Sequence, residues 1–338
     1  MKRFVKVSLL VVIALAGFYQ LYQFSLQPTK PGNAVIIDIP QGSSSSQIAS
    51  LLEEHHIIKN KQSFIVYLRQ TGKGRQLQAG KYQFQPGESV DRVIDQLASG
   101  QVYVDSIDVT IPEGWTVKQI AGLLAEKGLV DEKKFLNEVN KGSFSYPFVK
   151  DIPKSLPYRL EGYLFPKTYQ FQKELSEHEI IDRMLAQFDK EYNPAWSEQL
   201  NKHNFTIHEM VTLASIVERE VAVAKERPIV AGVYFNRIQQ DIMLQADATV
   251  QYGLGEQKDR LTYKDLELDH PYNTYKHKGL PPGPIAAPGI SALEAVVNPT
   301  SHEFLFYVTK KDGSGEHFFS KTYQEHLRNI AVSKQTAR

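Results

Sequence analysis

A glutamate sits where an apolar side chain would be expected. Glu218 lies in the run Ile207-His208-Glu209-Met210-Val211-Thr212-Leu213-Ala214-Ser215-Ile216-Val217-Glu218-Arg219-Glu220-Val221, whose spacing predicts a helix. At about 3.6 residues per turn, Ile207, Met210, Val211, Ala214 and Val221 share a face, and Glu218 falls inside that stripe. Arg219 and Glu220 point elsewhere. A carboxylate on a core-facing stripe is costly unless it is paired or protonated. Desolvation raises its pKa, and a raised carboxyl pKa is what a general acid near neutral pH needs. The same geometry also suits a structural glutamate, paired with a buried arginine or capping a backbone, because structural networks perturb carboxyl groups as well.

Three further segments are dense in residues that could hold a ligand. They are Leu160-Glu161-Gly162-Tyr163-Leu164-Phe165-Pro166-Lys167-Thr168-Tyr169, then Leu244-Gln245-Ala246-Asp247-Ala248-Thr249-Val250-Gln251-Tyr252-Gly253, then Tyr272-Asn273-Thr274-Tyr275 leading into Gly279–Gly289. The stretch 279–289 holds four prolines and three glycines, a rigid irregular wall poorly suited to helix or sheet. Amide, hydroxyl and phenol groups stand just before it. Polar hydrogen-bonders and aromatics beside a stiff loop suit a sugar chain, which offers hydroxyls, amides and apolar ring faces. An ordinary long surface loop is the alternative.

Other chemistries lack their residues. The chain has no cysteine, which removes thiolate nucleophiles, disulfides and Cys-zinc sites. HExxH, GxSxG and Walker motifs are absent, the ten histidines form no ligand pattern, and Gly253-Leu254-Gly255 is a lone turn. No metal or nucleotide cofactor is therefore expected. The net charge of +1 offers no basic field for a nucleic-acid backbone, so nucleic acid is not an expected partner.

These residues need elements to position them. The 338 residues suggest more than one domain, and 42% hydrophobic against 23% charged suits a mostly globular chain. Lys2, Arg3 and Lys6 precede an uncharged, largely apolar stretch from Val7 to about Leu26, long enough to cross a bilayer with the positive flank inside. A cleaved signal peptide is the alternative, since Ala14-Leu15-Ala16 resembles a cleavage site. The apolar character continues past Ala16, so residues 1–26 are expected to be a retained anchor.

Residues 27–34 read as a linker, and an internal repeat follows. Ile37-Asp38-Ile39-Pro40-Gln41-Gly42 with Gln47-Ile48-Ala49-Ser50-Leu51-Leu52 returns 72 residues later as Val109-Thr110-Ile111-Pro112-Glu113-Gly114 with Gln119-Ile120-Ala121-Gly122-Leu123-Leu124; nine of 22 positions are identical. Each copy reads as a short strand, a Pro-x-Gly turn and a Ser- or Thr-capped helix. Such units resemble LysM-type modules, which often bind amino-sugar polymers, with Trp115 and Tyr103 as the main aromatic candidates. A spacer holding a catalytic domain off the membrane is the other reading. The loop formers of 141–159 mark the expected boundary between a LysM-like region, 35–150, and a larger catalytic domain, 155–335. The mixture of helical stretches (176–201, 207–223, 225–240 and a final one near 321–333) with strand-like 304–309 and 317–320 predicts an α+β fold.

Taken in order, Thr212–Glu220, Gln245–Thr249, Tyr272–Tyr275 and Gly279–Gly289 resemble the MltG (YceG-like) family of endolytic murein transglycosylases. The similarity covers nearly the whole chain. It implies a single-pass inner-membrane protein with most of its chain outside, cutting peptidoglycan strands internally during synthesis and leaving 1,6-anhydro-N-acetylmuramyl ends. Peptidoglycan strands are the implied substrate, and peptidoglycan synthases are candidate protein partners. The family's catalytic glutamate corresponds to Glu218. Gln245, Asp247, Thr249, Tyr272, Asn273 and Thr274 become candidates for substrate binding. Lys167, Ala248 and Ala287 depart from the residues common in the family. Two alternatives stay open: a hydrolytic muramidase with Asp247 as a second carboxylate, and a non-catalytic protein that binds glycan or tethers a synthase.

Overall fold

In the computed structural model, which describes residues 2–335, the chain divides into two compact units between Asp105 and Ser106. The fold mixes helix with short antiparallel strand pairs, as expected for an α+β chain. Among the described residues there are three two-stranded sheets.

The first unit opens with helix α1 (Lys2–Leu26). Its stretch Leu9–Leu26 is apolar and long enough to cross a membrane, about 27 Å at 1.5 Å per residue, and most of its large side chains are exposed, while Leu26 packs on the small core described below. Strand β1 (Val35–Ile39) follows, then α2 (Ser45–Glu54) and α3 (Lys61–Thr71). Strand β2 (Gly80–Phe84) returns antiparallel to β1, with Ile37 opposite Tyr82, and α4 (Val90–Ser99) closes the unit. Ile37 and Ile39 point inward by strand alternation and meet Ile48, Leu52, Phe64, Tyr82 and Phe84 in a separate small core.

The second unit begins with the second repeat copy. Strand β3 (Ser106–Thr110) leads into α5 (Val117–Glu126) and α6 (Glu132–Lys141). β3 pairs with β4 (Thr168–Gln172), with Val109 opposite Tyr169. Between them lies the one-turn helix α7 (Pro147–Lys150). The stretch 141–159, read above as a domain boundary, lies inside this unit. Its Phe144, Phe148, Val149, Ile152 and Leu156 are buried in the same core as Leu160 and Val109. Loop-forming residues set its backbone, and the apolar residues between them fill the core.

The helical stretch expected over 176–201 is two helices, α8 (Glu177–Glu191) and α9 (Trp196–Lys202). Pro194 separates them, since proline cannot supply the N–H of a helix interior. Next come α10 (Ile207–Glu220) and α11 (Arg227–Gln239). The loop-rich stretch 241–290 contains α12 (Asp247–Leu254) and the single turn α13 (Tyr263–Leu266). Then follow α14 (Ile290–Val297), the hairpin of β5 (Phe306–Thr309) and β6 (His317–Ser320), and α15 (Tyr323–Gln335). Helix α10 is central: every residue from Met210 to Val217 is buried. The apolar stripe that singled out Glu218 is therefore part of a helix enclosed on all sides along that length.

Candidate active site

Helix α10 starts at a capping box, Thr206 with Glu209, which fixes its register. Glu218 then arrives in its last turn with 6% of its side chain exposed. Its Oε1 accepts a hydrogen bond from Arg227 Nη2 at 2.7 Å, and its Oε2 accepts one from the Gly289 amide at 3.0 Å. Both features of a structural glutamate are thus present, an arginine partner and a capped backbone. Burial nonetheless raises the Glu218 pKa. The Gly289 amide and Arg227 oppose that rise, and the Glu113 carboxylate adds to it.

Arg227 stands at the start of α11 and is itself buried, with its Nε left without a hydrogen-bond partner. The same Nη2 lies 3.8 Å from Glu113, whose side chain is about half exposed. Glu113 belongs to the Pro112-Glu113-Gly114 turn after β3. Gly114 has φ +74°, and a Cβ there would lie 3.5 Å from Arg219 Cδ and 3.8 Å from Glu218 Cγ. The repeat's turn is laid directly on the catalytic candidate.

The stiff 279–289 segment is pinned across α10. The Pro282 carbonyl accepts from His208 Nε2 at 2.9 Å, and the Ile285 amide donates to Ser215 Oγ at 3.0 Å. Ala287 exchanges two backbone bonds with the repeat turn: its N–H donates to the Trp115 carbonyl, and its carbonyl accepts from Gly114, both at 2.8 Å. These bonds use main chain only, so the absence of a polar side chain at Ala287 removes none of them. Gly289 then delivers its amide to Glu218 as the N-cap residue of α14.

The sequence candidates fall into two groups. Thr249, Tyr272, Asn273 and Thr274 are buried, each 2% exposed or less. The polar groups of three of them hold loops together. Thr249 and Thr274 share a hydroxyl hydrogen bond at 2.8 Å, and Thr274 Oγ1 accepts from the Ala246 amide. The Asn273 amide donates to the Leu266 and Leu268 carbonyls. Gln245 and Asp247 are exposed. Gln245 has φ +52° and accepts from Arg237 at 3.3 Å; Asp247 accepts from the Tyr275 hydroxyl at 2.6 Å. The charge of Asp247 acts on Glu220 rather than Glu218. Glu220 accepts from Tyr307 at 3.1 Å and from the Ala248 amide at 3.4 Å, and burial raises its pKa. Ala248, unlike a proline, has the N–H that this second bond requires. Lys167 is half exposed and pairs with Glu191 at 3.7 Å.

A cavity of about 480 Å³ in this unit is lined by Tyr158, Tyr252, Gln119, Gln251 and Arg219. Its own buried acid is Glu161, 1% exposed, which accepts from the Val117 amide at the start of α5 and from the Tyr252 hydroxyl. Burial pushes the Glu161 pKa up to about 8, opposed only by hydrogen bonds from Val117, Tyr252 and Gly162. Glu218 differs in having a cation. An acid that must also serve as a base has to be tolerable in both charge states, and Arg227 makes the ionised form of Glu218 tolerable.

Sequence reasoning missed Arg227, Glu113, the Gly289 amide and the burial of Glu220. Two signals pointed to them: an arginine opening a largely apolar helix, and the change from Gln41 to Glu113 between repeat copies. Among the described residues no cluster of metal-binding side chains is present.

A model of the YceG-like family matches residues 37–332. The chain is 36% identical to an endolytic murein transglycosylase of Bacillus subtilis (strain 168), over 93% of this chain and 89% of that protein. It is 33% identical to an endolytic murein transglycosylase of Streptococcus pneumoniae serotype 2 (strain D39 / NCTC 7466), over 96% of this chain and 64% of that longer protein. A crystal structure of a YceG-like protein from Listeria monocytogenes superposes with a TM-score of 0.60 at 34% identity, over 88% of this chain and 99% of that one. This chain belongs to the YceG-like family.

Proposed function

We propose that this protein is an endolytic murein transglycosylase with Glu218 as its acid and base. The observation that carries the reading is a buried carboxyl group, raised in pKa by burial yet supplied with a cation and a backbone amide. Protonated Glu218 gives its proton to the glycosidic oxygen leaving C1 of N-acetylmuramic acid. The substrate's own N-acetyl oxygen stabilises C1, so no enzyme nucleophile is required. Ionised Glu218, held by Arg227 and Gly289, then takes the proton from the muramyl C6 hydroxyl as that oxygen closes on C1. The product is a 1,6-anhydro ring and no water is consumed.

The amide and phenol groups of the 480 Å³ cavity suit a sugar chain. Gln245 and Asp247, being exposed, are the sequence candidates able to touch substrate; Thr249, Asn273 and Thr274 act by holding loops together, and Tyr272 packs in the core beneath. Helix α1 serves as an anchor in the plasma membrane, with the remainder outside, and the strand–helix–helix–strand order of residues 35–84 supports a LysM-like module that grips the strand. Synthases that elongate the strand are the candidate partners. N-terminal sequencing of the membrane-bound protein checks the anchor: a mature chain starting at Gly17 would show a signal peptide instead.

A hydrolytic muramidase is the second reading. The observation that favours it is Glu113, a second carboxylate reaching the same Arg227 nitrogen as Glu218. Asp247, the second carboxylate considered from sequence, acts on Glu220. Mass spectrometry of murein digested by the detergent-solubilised full chain separates the two. Anhydro ends, lighter by one water, are expected; reducing ends would establish the hydrolase.

A further inference from the structure

A buried general acid with an arginine partner faces a conflict. Arg227 stabilises ionised Glu218, whereas the first proton transfer needs Glu218 protonated. If Glu218 takes a proton, the Arg227 guanidinium is left buried without a counter-charge, which is expensive. The structure supplies a second carboxylate at the right place. Glu113 lies 3.8 Å from the same Nη2 that Glu218 holds at 2.7 Å, and Arg227 Nε is unpartnered. The guanidinium therefore has unused donors and a second acceptor within a small movement. Glu113 is held near by its turn, which is bonded to Ala287 on one side and receives an Arg219 bond at the Gly114 carbonyl on the other.

We propose that Glu113 is a positioning residue for the reaction, taking the charge of Arg227 while Glu218 carries its proton and releasing it when Glu218 ionises. The proposal rests on Glu218 being the acid. The charged groups facing Glu218 are Arg227 from α11 and Glu113 from the turn after β3; α14 contributes only the Gly289 amide. On its own helix, Arg219 is turned to the Gly114 carbonyl and Glu220 to Ala248 and Tyr307. The first repeat copy has Gln41 at the equivalent position, so Glu113→Gln converts the working copy to the chemistry of the other one.

Removing the Glu113 charge leaves Arg227 to Glu218 alone and favours the ionised form. Glu113→Gln should lower the Glu218 pKa, because the Glu113 charge acts to raise it. The alkaline limb of kcat should move down in pH by the same amount, with KM unchanged. Glu113→Asp, which keeps the charge, should move both less. The Glu218 titration is read by carboxyl-¹³C NMR of the full chain in detergent, assigned by loss of the signal in Glu218→Gln. This readout needs no catalysis, so a failure of the transglycosylase reading shows in the products and leaves the titration to judge Glu113. An unchanged Glu218 pKa in a folded Glu113→Gln protein overturns the proposal. So does a raised KM with an unmoved limb, which would mean that Glu113 touches the sugar instead.

Discussion

The two copies of the repeat are locally near-identical and differ in what they touch. Both run strand, Pro-x-Gly turn, helix. Gly42 and Gly114 take φ +82° and +74°, and Ser44 and Thr116 each form a capping box with a glutamine three residues on. The first copy pairs β1 with β2 and completes a small core of its own. A Cβ at Gly42 would meet nothing within 4 Å, whereas one at Gly114 would touch Glu218 and Arg219. The start of α5 is held by Glu161 of the same unit, and the turn before it carries Glu113 to Arg227. Local sequence thus sets the shape of the unit. A few substitutions, Gln41 to Glu113 among them, go with its packing against Glu218 and Arg227.

The largest effect that would break this contrast is loss of chemistry from the second copy's neighbour. Glu218→Gln should cut murein cleavage by about 10²–10⁴-fold, as for loss of a general acid and base, in a protein that still folds. Wild-type turnover by a folded variant would end the assignment.

Glu161→Gln should separate the two buried acids. Its folded pKa, about 8, lies above the ordinary 4.5, so the native state holds the proton more tightly than the unfolded chain. Stability is fully present below pH 4.5 and is lost as pH rises toward 8, with a limiting slope of about 1.4 kcal/mol per pH unit. Denaturant melts between pH 5 and 8 should show a shallower decline in Glu161→Gln than in wild type. Cleavage near neutral pH should persist, since glutamine resembles the neutral acid already present. An identical decline in both proteins would remove Glu161 as the source.

Gly42→Ala and Gly114→Ala should each cost about 1–2 kcal/mol, because both positions require a left-handed backbone. Chemical denaturation measures the cost and murein digestion the activity. Only Gly114→Ala should also slow cleavage, because its new methyl group lies against Glu218. Equal loss of activity in both would show that the first copy is coupled to the site.

The smallest effect lies just after the first copy's helix. His56 has φ +58° where the second copy has Gly128 at φ +69°. His56→Gly should stabilise the fold by about 0.5–1 kcal/mol by relieving that strain, and leave cleavage unchanged. A destabilised variant would contradict the equivalence of the two turns.

Much of this was legible in the sequence because it is local. The capping boxes, the strands at β5 and β6 and the α10 helix follow from spacing of a few residues. Glu218 stood out by its place on that helix. Its surroundings were not legible, because Arg227, Glu113 and Gly289 converge from three separate segments and nothing in their local pattern reports that meeting. The same limit applied to Thr249 and Thr274. Hydroxyls beside a stiff loop looked like ligand groups, and they are buried against each other. Burial of the 141–159 stretch was hidden too, since its prolines and serines outweighed five core residues in a local reading.

The central claim is that Glu218 performs anhydro-forming cleavage within the strand. Its most direct test is a time course of polymeric murein with the detergent-solubilised full chain and with Glu218→Gln, read by mass spectrometry. Long fragments ending in 1,6-anhydro-N-acetylmuramic acid from the wild type at the earliest times, and none from the variant, are predicted. Reducing ends among the first products, or anhydro ends produced equally by the variant, would contradict it.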